Sequence, residues 1–382
     1  CEYQRSMVVL SARLKLAYLV AAPGIPVQGP TGASGHVRDV VAALRAQGPT
    51  RLYAARDVDH RGRFGGPSPA VITGTPGWPS WLPRWRELRE VRASRRLARH
   101  VLEDAHGGWC PDVLIERHTI FSDAAWRIGD RLGRPWMLEV NAPLVDERLR
   151  FEEVRNLELA RRWERSVLLA APCIVTVSPW LKTWLETQVG CRRVHWVPNG
   201  VRALRGDRAR GRALLGVDED QKVIGFLGSD RPWQGLEVLP EVAARVGARV
   251  ALLGRFQNPP EDALTPGFLE GQQLADAVAA LDVGLVPYPK DAPPWFCPLK
   301  VFQYRAQGTP VVATDVGGVG KLVRGGGSVV PPGDVDALVI AVQRWLAQGR
   351  TPIKVRSWST VASDLRRLAA DLPRPRSARL QA

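Results

Sequence analysis

With 382 residues and a hydrophobic content of 45%, the chain is long enough for two α/β domains, each with its own core. No run approaches the roughly 18 apolar residues of a membrane-spanning helix, and the longest greasy stretch, Ser166 to Val177, is interrupted by Pro172, so a soluble protein is expected. The net charge of +15 comes from 46 arginines against 7 lysines, spread along the chain rather than gathered in one block, so no nucleic-acid partner is expected.

In chain order, residues 1–6 precede Met7, the first methionine, and read as lying upstream of the natural start. Residues 1–13 and 374–382 are expected to be disordered. The N-terminus lacks the charged, greasy and small-residue succession of a secretory signal. Cys1, Cys110, Cys173, Cys191 and Cys297 form no CxxC pair and no metal-like spacing with the six histidines, which points to a reduced cytoplasm. Lys15–Ala21 (KLAYLVA) reads as a buried strand, followed by a Gly/Pro-rich loop and a helix from near Ser34 to Gly48. Further on, Trp81–His100 reads as a helix whose Trp81, Trp85, Leu88 and Val91 share one face with arginines around it. A core-packed helix with a solvated basic face is the favoured reading; a peripheral contact with an anionic inner-membrane surface is the alternative.

Strands follow at Arg51–Ala54, Val113–Glu116, Pro135–Val140 and Ile174–Ser178, and their alternation with helices implies a parallel sheet. VPNGV at Val197–Val201 separates this half from a second strand series. That series begins with KVIGFLGS at Lys222 and continues through Arg249–Leu253, Val283–Pro287, Pro310–Ala313 and Ser328–Val330. The expected domains are 14–198 together with a returning helix at 355–373, and 202–352.

The segment Phe296–Gly318 reads as a loop, a helix, a tight turn and a buried strand. Pro298 suits the first helical turn, and Gly308 with Pro310 ends the helix after about three turns. Its N-terminus presents unpaired N–H groups, Lys300 adds a charge, and Gly317-Gly318 admits a second loop, so a diphosphate fits; the same pattern also suits a helix start that binds nothing. Glycine loops at Gly29–Gly35 and Gly228–Gly235 also stand at the carboxyl ends of expected strands, where open α/β sheets bind ligands. In the second of them Arg231 offers a planar fork to phosphate oxygens. The DxD triplets at Asp57, Asp218 and Asp334 read as loop and helix-cap residues, so no metal is expected. No facing carboxylate pair suits glycoside hydrolysis.

Together GASGHVRDVVAAL (Gly32–Leu44), PDVLIERHTIFSDAA (Pro111–Ala125), LEVNAPL (Leu138–Leu144), VTVSPWL, VPNGV, GFLGSDRPWQG and DVGLVPY resemble the retaining family 4 glycosyltransferases of GT-B fold, over roughly Lys15–Leu372. The resemblance implies an α/β protein of two doubly wound Rossmann-like domains facing a cleft, with a C-terminal helix crossing back to the first. It implies a nucleotide-sugar donor, expected to be a UDP-sugar, held by the second domain, a hydroxyl acceptor on the first, and no further cofactor. Gly228, Ser229 and Arg231 then meet the diphosphate, with the backbone of Phe296, Cys297, Pro298 and Leu299 and the Lys300 ammonium. Gly32 crowds the donor from the other side. Gln303 and Trp295 stand where the family usually and often carries glutamates, the first for the ribose hydroxyls. Gln234 stands where many relatives carry Lys or His. Asn141 replaces a histidine that touches the donor sugar, and Glu116, Arg117 and His118 lie where the acceptor sits. His118, Asn141, Arg231 and Lys300 are the expected catalytic set. A departing diphosphate that takes the acceptor proton itself requires no protein nucleophile. The altered acids keep open a degenerate, non-catalytic GT-B protein, and the fold also hosts epimerases and phosphorylases.

Overall fold

The structure, a computed structural model, describes residues 12–29, 31–56, 82–152, 154, 156–350 and 354–373. The readings made for residues 1–11, for Asp57 and Trp81, and for 374–382 lie outside them, as do those for the side chain of Trp85. Ala12 and Arg13 fall within the described residues and are helical, against the expected disorder. Among the described residues no helix is long and apolar enough to cross a membrane. The chain divides into two compact units. One runs to Pro198 and takes in the segment from Trp358; the other is Asn199–Ser357.

The first unit holds six parallel strands, β1 (Leu16–Val20), β2 (Thr50–Ala54), β3 (Val113–Arg117), β4 (Trp136–Val140), β5 (Ile174–Thr176) and β6 (Val194–Trp196), in the order β2-β1-β3-β4-β5-β6. β1, β3 and β4 are buried at every residue, as strands covered on both faces must be. Sequence reasoning missed β6, which has three residues at the sheet edge just before Pro198. Such a strand carries no periodicity to detect. Helix α1 (Gly32–Gln47) begins two residues before the expected start, because Thr31 Oγ1 accepts from Ser34 N at 3.2 Å and caps it.

Helix α2 (Leu82–His106) corrects the expected apolar face. Ser94, Leu97, Ala98 and Val101 are among its buried residues, whereas Leu88 is exposed beside Arg89 and Arg92. Helices α3 (Ala124–Leu132), α4 (Leu144–Phe151), α5 (Leu157–Ala170) and α6 (Pro179–Trp184) complete this part of the unit.

In the second unit helix α7 (Arg208–Leu215) leads into β7 (Val223–Ser229), α8 (Leu239–Val246), β8 (Arg249–Arg255), β9 (Leu264–Gly267), α9 (Gly271–Ala280) and β10 (Val283–Val286). Then come α10 (Leu299–Ala306), β11 (Val311–Thr314), α11 (Val319–Val323), β12 (Gly327–Val330) and α12 (Val335–Gln348). The sheet is parallel, ordered β12-β11-β10-β7-β8-β9, so the order reverses between β7 and β10. β9 was also missed: it contains Pro266, which suits only an edge, and its register against β8 is irregular. Helix α10 corrects two expectations. Pro298 is its N-cap rather than a first-turn residue, and the helix has 8 residues, about two turns rather than three. Asp334 caps α12 as expected, its Oδ1 accepting from Ala337 N at 2.8 Å.

Helix α13 (Trp358–Ala370) belongs to the first unit and is shorter than the 355–373 expected. Its buried Arg366 donates to Leu44 O at 2.9 Å, Leu14 O at 3.2 Å and Thr50 Oγ1 at 2.9 Å, and Gln47 Nε2 donates to Ser359 O at 2.7 Å. The guanidinium thereby satisfies a carbonyl in the last turn of α1 that has no helical partner.

Candidate functional site

β7 and β10 pair through only Val283 with Ile224 and Gly284 with Gly225 before they part. The Tyr304 phenol from α10 stands between them. Its ring seats over Gly284, where an added Cβ would lie 2.5 Å from it, and its Oη accepts from Leu227 N at 2.7 Å. The hydroxyl thus takes the place of a ladder bond at the reversal of strand order, the place where open α/β sheets bind ligands.

Lys300 reaches β7 from the first turn of α10. It is 7% exposed, its Nζ lies 3.6 Å from the centre of the Phe226 ring and 5.5 Å from that of Tyr288, and it donates to Gln234 Oε1 at 2.6 Å. Among the described residues no carboxylate pairs with it, and burial holds its ammonium well below the ordinary lysine range. A buried cation facing aromatic rings and one neutral amide favours a bound anion. The N–H groups of the same helical turn add positive potential.

The surrounding loops are pressed together by backbone. Gly235 has φ +68°, and a Cβ there would stand 1.9 Å from Pro287 O; Gly317 has φ +62°, with Pro294 O at 1.8 Å. No other residue fits either turn. Gly228 lies beside the cation, since a Cβ on it would be 3.4 Å from Lys300 Nζ. Asn199 Nδ2 donates to Cys297 O at 3.2 Å and steadies the loop before α10. Burial pushes the Cys297 thiol up to about 12, so it stays neutral.

Of the other expected donor residues, Ser229 is half-buried and Arg231 exposed, its guanidinium 6.0 Å from the Trp233 ring. Phe296 lies against Trp233, Tyr288 and Trp295. Trp295 is buried in that aromatic wall. Pro298 and Leu299 form the start of α10. Gln303 is half-buried, with no side-chain hydrogen bond among the described residues.

In the first unit Asn141 follows β4 and its Nδ2 donates to Glu139 Oε1 at 2.8 Å. Arg117 Nη1 donates to the same oxygen at 2.9 Å, so this guanidinium faces Glu139. His118 is buried, its Nε2 3.5 Å from Glu164 Oε1, and neither ring nitrogen has a hydrogen bond among the described residues. Glu116, expected to face an acceptor, is corrected. It lies on the opposite face of β3, accepting from Ser122 Oγ and, at 2.7 Å, from Ala125 N, and it is engaged at the start of α3. Burial raises its carboxyl, against these two bonds. Gly32 is exposed at the N-terminus of α1.

Sequence reasoning missed Glu139, Tyr18, His36 and Tyr304, and treated Gln234 only as a departure from the family pattern. An acid in the middle of LEVNAPL was the available signal, because a buried carboxylate demands donors.

Residues 30–203 match the model described as Glycosyltransferase Family 4, and residues 221–348 match the model described as Glycosyl transferases group 1. A D-inositol 3-phosphate glycosyltransferase of Segniliparus rotundus is 25% identical over 308 residues, covering 68% of this chain and 66% of that protein. A phosphatidyl-myo-inositol mannosyltransferase of Mycobacterium leprae is 26% identical over 220 residues, 51% of this chain and 58% of that one. The chain therefore spans less than two thirds of the length of these curated relatives. Among solved structures, a sucrose-phosphate synthase from Thermosynechococcus elongatus superimposes with a TM-score of 0.63 at 21% identity, covering 94% of both chains. Anabaena Alr3699/HepE in complex with UDP-glucose gives 0.59 at 17% identity, covering 94% of this chain and 95% of that one.

Proposed function

We propose, from the premise that the chain belongs to the family 4 glycosyltransferases and has their GT-B fold, that it moves a sugar from a nucleoside diphosphate to an acceptor hydroxyl with retention of configuration. The observation that carries this is Lys300: a buried ammonium without a carboxylate partner among the described residues, on the first turn of α10, beside Gly228 and at the reversal of strand order. In the transition state negative charge grows on the leaving diphosphate, and donors fixed before the reaction lower the barrier most. Lys300, the first-turn amides of α10 and the Arg231 guanidinium are those donors. Removing one such donor from an enzyme typically lowers kcat about 10²- to 10³-fold. A diphosphate neutralised by protein cations needs no metal, and of the DxD acids Asp334 is already engaged in capping α12.

UDP is the proposed nucleotide, in keeping with the complexes of Alr3699/HepE with UDP and with UDP-glucose. Asn141 and His118 are proposed to act near the reacting centre, with Arg117 beside them. A cytoplasmic setting, with Arg89, Arg92, Arg95, Arg96 and Arg99 on the exposed side of α2 meeting an anionic membrane surface, is part of the proposal.

Calorimetric titration of the purified protein with UDP, GDP, dTDP and ADP tests the reading. Micromolar binding of UDP is expected, and release of UDP from a UDP-sugar should follow. Failure of all four nucleotides to bind folded protein overturns it.

A further inference from the structure

Donor binding makes no use of Glu139, yet among the described residues of the first unit it is a heavily anchored acid. Its side chain is 3% exposed, and an ionised carboxylate so placed is tolerated only where donors surround it. Three donors and an imidazole converge on it. Oε1 receives Arg117 Nη1 at 2.9 Å and Asn141 Nδ2 at 2.8 Å, and His36 Nε2 stands 2.8 Å away at ion-pair distance, although not aligned for a hydrogen bond. Oε2 receives the Tyr18 hydroxyl at 2.9 Å. Burial pushes the Glu139 carboxyl up, but His36, Arg117 and Asn141 outweigh it and hold it well below the ordinary carboxylate range.

These groups come from β1, α1, β3 and the loop after β4, so one carboxylate ties together the elements at the carboxyl end of the sheet. Tyr18, His36 and Arg117 are buried; Asn141 alone is half-buried. It is the open end of the cluster. With Nδ2 tied to Glu139, Asn141 has its carbonyl Oδ1 left to meet a ligand, and a carbonyl accepts from hydroxyls. The same bonds deny Glu139 the part of a nucleophile, since both its oxygens are engaged.

We infer that Glu139 is a positioning residue for sugar transfer: it fixes the Asn141 amide so that Oδ1 is presented to a substrate hydroxyl. This rests on the glycosyltransferase reading. Glu139 touches no substrate and acts through Asn141, so the two residues should behave as one unit in kinetics while nucleotide binding is unaffected.

The test measures UDP release from UDP-glucose and UDP affinity by calorimetry for the full chain and for Asn141→Ala, Glu139→Gln and the double variant. Each single change should lower kcat about tenfold or more with UDP affinity held within about twofold, and the double variant should be no slower than the slower single one. Losses that multiply in the double variant overturn the assignment. Should Glu139→Gln fail to fold, Asn141→Asp decides. It keeps the size and an oxygen but sets a second carboxylate against Glu139 in place of a donor. A rate as low as that of Asn141→Ala is expected, and a rate like the wild type's overturns the assignment. Absence of wild-type turnover with every nucleotide sugar tried overturns the transfer reading, and the assignment with it; turnover with multiplicative losses overturns the assignment alone.

Discussion

Lys300→Met should strengthen the protein and weaken its ligand. Lys300 is buried with a neutral amide as its hydrogen-bond partner, so the folded state releases its proton at lower pH than the unfolded chain does. Between the two values the unfolded state binds more protons. Stability therefore rises with pH through that window and levels off above about 10.4, the free-lysine value. Methionine fills a similar volume without the charge. Exchanging a buried ionic group for an apolar one returns roughly 1–4 kcal/mol, and leaving Gln234 Oε1 without its donor costs about 1 kcal/mol. The net gain, up to about 3 kcal/mol, raises the melting temperature of a unit this size by up to about 12 °C. UDP binding moves the other way. A charge-assisted hydrogen bond of roughly 1.5–3 kcal/mol disappears, which weakens Kd about 10- to 150-fold.

The pH slopes also oppose each other. Binding requires the ammonium, so wild-type UDP affinity should fall as pH rises toward about 10.4, the free-lysine value, while the terminal phosphate, with a pKa near 6, stays ionised above neutral pH. Burial pushes Cys297 up to about 12 and Tyr288 beyond it, so neither accounts for that fall. Lys300→Met should flatten both slopes. Thermal unfolding and calorimetric titration with UDP across that rise in pH check this. A variant that melts lower and binds UDP as tightly as the wild type refutes the reasoning.

Gln303→Glu places a carboxylate where the family usually holds the ribose, and it should tighten UDP binding by about 1–3 kcal/mol in calorimetry if the half-buried side chain faces the nucleotide; an unchanged Kd removes Gln303 from the site. Tyr304→Phe leaves Leu227 N without the oxygen that bonds it at 2.7 Å, at a cost of roughly 1–3 kcal/mol read from thermal unfolding. A melting temperature equal to the wild type's would show that the strands close the gap unaided. Arg366→Met strands Leu44 O and Leu14 O inside the first unit. A loss of roughly 2–6 kcal/mol should appear in the unfolding of that unit, with UDP affinity unchanged, and a smaller loss in denaturant titration would mean that water replaces the guanidinium.

The fold was legible where each strand had to be apolar along its whole length. KLAYLVA and DVGLVPY describe β1 and β10 almost to the residue, because sheets covered on both faces leave few polar positions within a strand. β6 and β9 were not legible: three or four residues at an edge, with prolines in or beside them, produce no pattern. The helix α10, begun one residue early, and the tight turn at Gly317-Gly318 could be read from the succession of Pro and Gly, since each residue type answers a local backbone requirement. Tyr304 could not, because its task is to join β7 to α10 across 77 positions of sequence. Glu116 and Glu139 show the same limit from another side. Both are acids in apolar strands, and the sequence does not say which face of the sheet each occupies or which donors wait there. Only the strand register sends Glu139 toward Asn141 and Glu116 toward the start of α3.

The two units answer the problem of a buried charge in opposite ways, and the difference bears on what each can bind. Glu139 has every demand met from within: two oxygens, three aligned donors and a nearby imidazole. Nothing about that cluster asks for an ion, and its half-open end is an uncharged amide suited to neutral hydroxyls. Lys300 has a single amide oxygen and two aromatic faces, which compensate an ammonium only in part. A group left under-compensated in a folded protein lowers its stability, and an anion that completes the shell recovers that free energy as affinity. Charge balance, independently of any likeness to other proteins, therefore favours a diphosphate in the second unit and sugar hydroxyls in the first. If Lys300→Met left UDP affinity unchanged while Gln234→Ala abolished it, that division would have the wrong cation at its centre.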